Sequence, residues 1–340
     1  MAIAASTAIS GPPRGIDRAA ADGLRRAAGW LVRVQEHDGH WRDYDIDDQV
    51  TLGDRRPIGP SDQWVTAYAG LALGEASHAL GSPARAAAHR AADWLVRRRT
   101  YAAGWGFNGR TGPDVDSTSH ALLLMRRLGR RVLLGDVCLV AAGAQPGGGF
   151  ATFPGGPGQW GQAHADITPA ALLSLPSAWR EPLRAPAADF LRRSRSAQGW
   201  WSSYWWRTPN YATYFALRAD RALGLGIDVA PLAGANREPS TDACDAAFAA
   251  GIVLHRGGGS LAGPLLDHAL SCQHDDGGWA GTASLRVPRQ DDAEPWTHTA
   301  SPAYRDVRGV LTTAHIVRVL ARITAGPDGL SESPPRPRHA

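Results

Sequence analysis

The sequence contains no lysine, so its 36 basic residues are all arginine. It has three cysteines, Cys138, Cys244 and Cys272, which form no CxxC pair and no even disulfide framework. A reducing, cytoplasmic setting therefore fits the chain. No run of eighteen apolar residues is present, so we expect no transmembrane helix, while peripheral contact with a membrane stays open.

The arginines are scattered along the chain, and the net charge is only +4. A nucleic-acid-binding surface needs a continuous basic face interleaved with aromatic readers. We therefore expect no nucleic acid partner. Tryptophan and glycine, in contrast, are abundant, with 13 and 39 residues.

Glycine and aromatic residues come together in a turn that recurs five times along the chain. Each turn follows a stretch in which apolar residues recur at spacings of three and four, as in Leu24, Ala27, Ala28 and Leu31. We interpret the glycines as the ends of amphipathic helices, because glycine adopts the left-handed cap without steric cost. The five turns are residues 38–41, 104–107, 147–150, 198–201 and 276–279.

A second repeated element follows each turn. It has the pattern polar-x-polar-x-Thr, and a helix that is apolar around most of its circumference comes after it. A helix that is apolar on all sides is buried on all sides, so we predict that this second set lies inside the amphipathic set. Hairpins of this kind must stack to bury their faces. The predicted fold class is all-α, an (α/α)6-type toroid or double-layered helical barrel. The inner-helix heads are residues 62–66, 114–118, 164–168, 209–213, 308–312 and, with Cys244 in the threonine place, 240–244.

The domain organisation follows from the same repeats. We predict one toroid domain over residues 16–325, flanked by disordered tails at 1–15 and 326–340 that are rich in proline and polar residues. Between Leu223 and Ser240 the chain is too short for a full outer helix. The fifth hairpin is therefore predicted to be degenerate.

Parallel inner helices would open their N-termini at one rim of a central cavity and bring their polar heads together there. Asp or Ser at a helix start usually caps orphan amides, so capping is the alternative for each such residue. In Pro113-Asp114-Val115-Asp116-Ser117, however, one cap needs one acceptor, and the second carboxylate requires another explanation. The residues predicted to face the substrate at this rim are Asp62, Trp64, His164, Asp166, Tyr211, Tyr214 and Asp242.

The carboxylate pair indicates acid chemistry. The charge of one member raises the pKa of the other, and burial adds to the rise, so one carboxyl can keep its proton near neutral pH. Such an acid can protonate an alkene or an epoxide, and aromatic ring faces can stabilise the resulting carbocation.

These features together resemble the terpene cyclase and squalene–hopene cyclase family. Gln35 to Trp41, Gln198 to Trp200 and Gln273 to Trp279 are similar to its glutamine–tryptophan repeat, and residues 114–118 resemble its aspartate-rich DxDDT motif. The resemblance implies a single-domain, class II cyclase-like enzyme of the isomerase or lyase class. It would need no cofactor and no metal, and would act on a hydrophobic prenyl or terpenoid substrate.

The resemblance also implies roles within the motif. The proton donor would be Asp116 and its partner Asp114, while Ser117 stands where the family has a third aspartate. A serine can form a hydrogen bond with Asp116 but cannot supply the same charge. A histidine nearby, His120 or His164, would orient or reprotonate the acid.

Other functions stay open from the sequence. The same fold could serve an acid–base enzyme acting on a non-terpenoid metabolite, or a non-catalytic protein that binds an isoprenoid or a partner helix. The toroidal β subunit of protein prenyltransferases suggests a zinc site at Asp242 and Cys244 with His298 or His315, although a buried cysteine is commonly just a small apolar residue. The substrate, a diphosphate on it and the oligomeric state are not specified.

Overall fold

The computed structural model describes residues 14–43, 45–46, 59–99, 103–227, 242–298 and 303–325. Helix α1 begins at Arg14 and helix α12 ends at Ala325, so the predicted tails lie almost entirely outside the described residues. Much of the predicted fifth outer segment, residues 228–241, lies outside them as well.

Twelve α-helices make up most of the described chain. Their bounds are α1 Arg14–Arg33, α2 Gln63–Glu75, α3 Ser77–Leu80, α4 Ser82–Arg98, α5 Val115–Arg127, α6 Leu134–Ala142, α7 Thr168–Ser174, α8 Ser177–Ser194, α9 Asn210–Leu223, α10 Ala243–His255, α11 Gly259–Ser271 and α12 Val310–Ala325.

Six of these helices form a closed ring. Helix α2 packs on α5, α5 on α7, α7 on α9, α9 on α10, α10 on α12, and α12 returns to α2. Every residue of α2 and of α7 is buried, as all-round apolarity predicts for an inner helix. The prediction of an all-α toroid is confirmed.

The outer layer consists of α1, α4, α6, α8 and α11, each packed against an inner helix. On α1 the predicted face is buried, including Leu24, Ala27, Ala28 and Leu31, whereas Arg25 and Arg26 are exposed. This alternation of one-sided and all-round burial is what separates the two layers.

The aromatic turns hold each hairpin together through a repeated hydrogen bond. Four indole nitrogens donate to the carbonyl oxygen ten residues earlier, near the end of the preceding outer helix, over 2.7–3.0 Å. The pairs are Trp41 with Leu31, Trp105 with Leu95, Trp201 with Leu191 and Trp279 with Ala269. Each tryptophan is buried, so this bond satisfies a donor that would otherwise be orphaned.

The repeated threonine completes the hairpin. The backbone nitrogen of the turn aromatic donates to the threonine Oγ1 over 2.9–3.2 Å in five hairpins. The threonines are Thr66, Thr118, Thr168, Thr213 and Thr313. The predicted position of the threonine was therefore wrong by one residue in the last repeat, where Thr313 and not Thr312 accepts the hydrogen bond from Trp279.

The turn glycines have a different role from the one predicted. Helix α1 ends at Arg33, several residues before Gly39, so Gly39 does not cap it. Gly39 has φ +105°, and a Cβ there would lie 2.6 Å from the carbonyl oxygen of Arg90 on α4. Gly277 meets Arg26 of α1 in the same way, also at 2.6 Å. These glycines are required because the turn touches the backbone of the next outer helix.

Glutamine side chains stabilise the same contact between each turn and the next outer helix. Gln35 Nε2 donates to Gly39 O over 2.8 Å and to Ala87 O of α4 over 2.9 Å. Gln273 donates to Gly277 O over 2.9 Å and to Gly23 O of α1 over 3.0 Å. Neighbouring hairpins are therefore joined through main-chain carbonyls.

Among the described residues, five short strands that the sequence did not predict order the loops next to the inner-helix heads. They are β1 Asp45–Ile46, β2 Phe150–Ala151, β3 Ala163–His164, β4 Leu285–Arg286 and β5 Ala303–Arg305, paired antiparallel as β1-β5-β4 and β2-β3. Arg286 N also donates to Trp205 O over 2.8 Å, which joins β4 to the loop before α9.

Candidate active site

A cavity of about 160 Å³ lies at the heads of the inner helices. Trp64 comes from α2, Asp116 and Ser117 from α5, Ile167 from the residue before α7, and Trp206 from the loop before α9. The full lining is Trp64, Phe107, Thr111, Asp114, Asp116, Ser117, Thr152, Phe153, Trp160, Ile167, Trp205, Trp206, Leu285 and Val287. Three inner-helix heads therefore converge on one space.

Asp114 caps helix α5. Its Oδ1 accepts the backbone N–H of Ser117 and its Oδ2 accepts the Ser117 hydroxyl, both over 2.7 Å. The capping alternative thus applies to Asp114, and Ser117 uses its hydroxyl on Asp114 rather than on Asp116.

Asp116 has no part in the cap. Its side chain is 16% exposed, lines the cavity, and places Oδ1 3.4 Å from Nε2 of His120 one helical turn away. Oδ1 has no hydrogen-bond partner among the described residues. Asp116 is therefore the member of the pair that is free to act on a molecule in the cavity.

Burial and the neighbouring carboxylate change the acidity of Asp114. Burial, and then the charge of Asp116, raise the pKa of Asp114 to about 7. One member of the pair was expected to have a raised pKa, and in the structure it is the fully enclosed cap residue.

Asp166 adds a third carboxyl close to this pair. Burial raises its pKa to about 7, and the charge of Asp116 contributes to the rise. Asp166 Oδ2 accepts the backbone N–H of Trp205 over 2.8 Å, which fixes the loop that carries two wall tryptophans. Its side chain lies behind the lining residues and not among them.

Aromatic rings form most of the wall. Trp205 donates through Nε1 to Thr152 Oγ1 over 2.8 Å and lies 5.6 Å from Trp160, while Trp206 lies 5.9 Å from Trp64, centroid to centroid. Phe153 lies 5.6 Å from Trp160. Ring faces held in this way can stabilise a cation that forms between them.

The structure distributes the other predicted residues around the cavity rather than in it. Tyr211 stacks on Trp206 at 4.2 Å and supports the wall from behind. His164 stacks on Tyr204 at 3.9 Å, and burial lowers its pKa to about 4. Asp242 caps α10, accepting from Cys244 N over 2.8 Å.

Two further predicted residues also lie outside the lining. Asp62 precedes α2 without a side-chain cap bond, and burial raises its pKa. Tyr214 packs 5.3 Å from Phe248 on α10. Of the predicted site residues, the cavity therefore brings together Asp114, Asp116, Ser117 and Trp64.

Several lining residues had no sequence signal. Thr111, Thr152, Phe153, Leu285 and Val287 lie in irregular loops or short strands, where no helical period marks the inward face. The tryptophan-rich stretch 200–206 was the available clue for Trp205 and Trp206.

In the described part of the chain, no three His, Cys, Asp or Glu side chains converge in a way that could hold a metal ion. Over the same residues, no helix combines the length and apolarity needed to cross a bilayer.

No protein-family model matches the sequence, and the search of curated proteins found no match. Solved structures do match. Type II terpene cyclase MstE from Scytonema, an aspartate-to-asparagine variant in complex with geranylgeranyl dihydroxybenzoate, superposes with a TM-score of 0.73 at 22% identity over 91% of this chain and 98% of that chain.

The chain shares the fold of a type II terpene cyclase. A protein from Actinoplanes matches with a TM-score of 0.69 at 24% identity, over 90% of this chain and 99% of that one. An unsaturated glucuronyl hydrolase specific for heparin matches with a TM-score of 0.58 at 12% identity, over 91% and 97%. At these identities the likeness establishes the terpene cyclase toroid, and function depends on the site.

Proposed function

We propose that this protein is a class II-like terpene cyclase that protonates a prenyl or terpenoid substrate in the cavity, with Asp116 as the proton donor. The observation that carries the proposal is the position of Asp116, a carboxyl outside the helix cap that faces an aromatic-walled space. The shared fold with MstE supports it.

The chemistry needs only the residues of this site. Asp116 transfers its proton to the terminal alkene of the substrate, and the π electrons form the new C–H bond. The resulting carbocation is attacked by the next double bond, while Trp64, Trp205 and Trp206 stabilise the positive charge through their ring faces. The last carbocation loses a proton to solvent water, which gives a cyclic isomer of the substrate, and Asp116 regains a proton from solvent before the next turnover.

Asp114 and Ser117 act on this step indirectly. They fix the first turn of α5 through their mutual hydrogen bonds and so hold Asp116 toward the cavity. Asp114, whose pKa lies at about 7, is largely uncharged below that pH, so the carboxylate that Asp116 becomes on giving up its proton is not repelled by a second charge. The serine in place of the third aspartate is compatible with this arrangement, because its hydroxyl satisfies Asp114.

The substrate class is proposed from the wall and from the neighbour. MstE binds geranylgeranyl dihydroxybenzoate and merosterolic acid A in its complexes. An apolar, aromatic wall suits the prenyl part of such a molecule. We therefore propose a polyprenyl chain, carried on an aromatic or other head group, as the substrate class.

The test is an incubation panel with purified protein. Geranylgeranyl dihydroxybenzoate, geranylgeranyl diphosphate and simpler polyprenyl phenols are each supplied, and products are identified by mass spectrometry and NMR. We expect a cyclic isomer from at least one prenylated compound. Asp116→Asn should lose turnover by about 10³-fold or more while its melting temperature stays close to the wild-type value.

Asp93→Asn, an exposed carboxylate on α4, is the matched control and should retain full turnover. Wild-type turnover that persists in Asp116→Asn would remove Asp116 from the role of donor. Tight binding of the prenylated compounds without any product would instead support a non-catalytic isoprenoid-binding toroid. Turnover only of polar, non-terpenoid compounds would favour the alternative acid–base enzyme.

A further inference from the structure

Aromatic side chains fill the ring of inner helices next to the cavity. Trp64 and Trp206 line the cavity, and the rings behind them do not. Tyr211 stacks on Trp206 with centroids 4.2 Å apart, and His315 meets Trp206 edge-on at 5.0 Å. Tyr68 lies 6.0 Å from Trp64 and 4.7 Å from His315. All five residues are at most 4% exposed, and we call them the aromatic column.

A further layer of buried side chains supports the aromatic column from behind. Phe248 of α10 lies 5.1 Å from His315, centroid to centroid. The guanidinium of Arg318 lies 4.7 Å from the Tyr68 ring centre and 4.9 Å from the Phe215 ring centre. An interior packed in this way does not expand smoothly, because each added group must displace side chains. The aromatic column therefore gives the cavity a fixed floor.

Two loops that supply wall residues are tied together on another side of the cavity. Gln159 N donates to Gln290 O over 2.7 Å, and Trp160 Nε1 donates to Pro288 O over 3.2 Å. Trp160 lines the cavity from the first loop, and Val287 lines it from the second. The cavity therefore cannot widen between these two walls without breaking hydrogen bonds to main-chain carbonyls.

The cavity, with a volume of about 160 Å³, is small for a polyprenyl chain. An engineered apolar cavity of roughly 150 Å³ holds one benzene molecule, and pockets for drug-sized ligands have volumes of roughly 300–1,000 Å³. The cavity therefore matches the size of one six-membered carbon ring. MstE, in contrast, binds a geranylgeranyl compound, whose chain has four isoprene units.

Resting on the proposed function, we propose that the cavity admits only the two terminal isoprene units of the substrate, stops the chain at the aromatic column and closes a single ring. Asp116 protonates the terminal alkene. The second alkene attacks the resulting carbocation, so that one C–C bond forms and a six-membered ring closes. The ring carbocation loses a proton to water, and the product is an isomer with one C=C bond fewer. Further alkenes lie outside the cavity and keep their double bonds.

The first experiment varies the chain length on one head group. Purified wild type is incubated with geranyl, farnesyl and geranylgeranyl dihydroxybenzoate, and NMR counts the rings and the remaining double bonds of each product. We expect one ring in the product of every compound that reacts. A bicyclic or larger ring system as the main product from the geranylgeranyl compound would overturn the proposal and leave the proposed function intact.

Shortening the aromatic column should allow a second ring. Trp206→Leu and Tyr211→Ala each remove one ring of the column, so we expect the ratio of bicyclic to monocyclic product from the farnesyl compound to rise by about tenfold or more. Tyr211→Phe keeps the ring, and Trp179→Leu replaces a tryptophan of α8 that is 39% exposed. Both controls should give the wild-type ratio. Turnover to single rings alone in both Trp206→Leu and Tyr211→Ala would overturn the role of the aromatic column.

A binding series tests the size of the cavity without turnover. Asp116→Asn is titrated with dihydroxybenzoates that carry one, two, three or four isoprene units, and the fluorescence of the wall tryptophans reports binding. Because only the first two units leave water, we expect the dissociation constant to fall by about tenfold or more from one unit to two, and by less than about threefold for each later unit. An equal gain from every unit would overturn the proposal. Failure of the proposed function would look different, because wild type would then form no cyclic product, while this series would still measure how many units the cavity holds.

Discussion

Glu75, Arg218 and Arg318 lie inside the ring of inner helices, as do Asp114 and Asp166, but only the first group compensates its charges. Glu75 accepts from Arg218 Nη2 over 2.9 Å and from Arg318 Nε over 3.1 Å, and the guanidinium of Arg318 lies 4.7 Å from the Tyr68 ring centre. Burial alone would raise the pKa of Glu75, yet the two arginines hold it below its usual range.

Among the described residues, no arginine forms an ion pair with Asp114 or Asp166, although the charge of the buried Arg286 acts on Asp166 from a greater distance. Asp114 and Asp166 accept only from N–H and O–H groups, and burial raises both pKa values to about 7. Burial by itself therefore does not decide whether a carboxyl is ionised. Paired with arginines it becomes a permanent ion that ties helices together, and without them it becomes an acid that holds its proton near neutrality.

The largest effect is expected from breaking the buried ion cluster of Glu75, Arg218 and Arg318. Glu75→Gln leaves two buried arginines without a counter-charge, and we expect a loss of about 3–5 kcal/mol in the free energy of unfolding. Urea denaturation measures it. The control is Glu181→Gln in the exposed pair with Arg184, which should change stability by no more than about 0.5 kcal/mol. Equal small effects in both would mean that the buried cluster is not structural.

The next effect concerns pH. The stability contributed by Asp114 and the stability contributed by Glu75 should change in opposite directions as the pH rises. Asp114 holds its proton up to about pH 7 in the folded protein and releases it near 3.8 when unfolded. Between these pH values the folded state binds more protons than the unfolded state. The contribution of Asp114 to the free energy of unfolding is therefore complete below pH 3.8 and decreases as the pH rises toward 7. Glu75, with its lowered pKa, contributes stability above about pH 4.5 that is lost as pH falls further.

Asp114→Asn isolates that pH dependence. Asparagine is a good N-cap, so the helix start should survive, while the titrating group is gone. We expect the fall in stability between pH 4.5 and 7 to become shallower by up to about 1.4 kcal/mol per pH unit. Denaturation curves at several pH values measure the slope, and an unchanged slope would show that Asp114 is ionised throughout.

A smaller effect is expected at Ser117. Ser117→Ala removes the hydroxyl bond to Asp114 Oδ2 but keeps the backbone bond, and should cost about 1–2 kcal/mol. Because this hydroxyl lowers the pKa of Asp114, its loss should also move that pKa upward. Carboxyl titration by ¹³C NMR would detect the change, and Ser119→Ala, whose hydroxyl has no partner among the described residues, is its neighbour control.

The smallest effect is expected in the scaffold that both regions share. Gln35→Ala removes the bonds to Gly39 O and Ala87 O and should cost about 1 kcal/mol without changing the pH slope. Thermal unfolding at two pH values tests both statements. A changed slope would mean that the hairpin junction and the cavity carboxyls are coupled.

Much of the scaffold could be predicted because it repeats. The turn aromatics and the threonines at 66, 118, 168 and 213 occupy equivalent places in the hairpins, and helix period alone separated inner from outer layers. The register failed at Thr312 because two threonines are adjacent there, and only the contact with Trp279 distinguishes them. The turn glycines were misassigned because their requirement comes from a neighbouring helix, which local sequence does not show.

Residues that line the cavity were predictable only where they lie at the head of an inner helix. The carboxylate pair stood out because one cap needs one acceptor, Asp116 because the family resemblance gives its position the donor role, and Trp64 because it lies in the head of an inner helix. Phe153, Leu285 and Val287 reach the same space from loops far apart in sequence, through pairings such as Trp206 with Leu285. Those positions follow from tertiary contacts, which no spacing in the sequence reveals.

The tryptophan bonds to carbonyl oxygens have a consequence for how this architecture can diversify. They are made to main-chain atoms, so they do not depend on which side chain stands at Leu31, Leu95 or Leu191. Phe153, Leu285 and Val287, which line the cavity from loops and short strands, take no part in these bonds. Residues at such positions can therefore change without removing the bonds that hold each hairpin together.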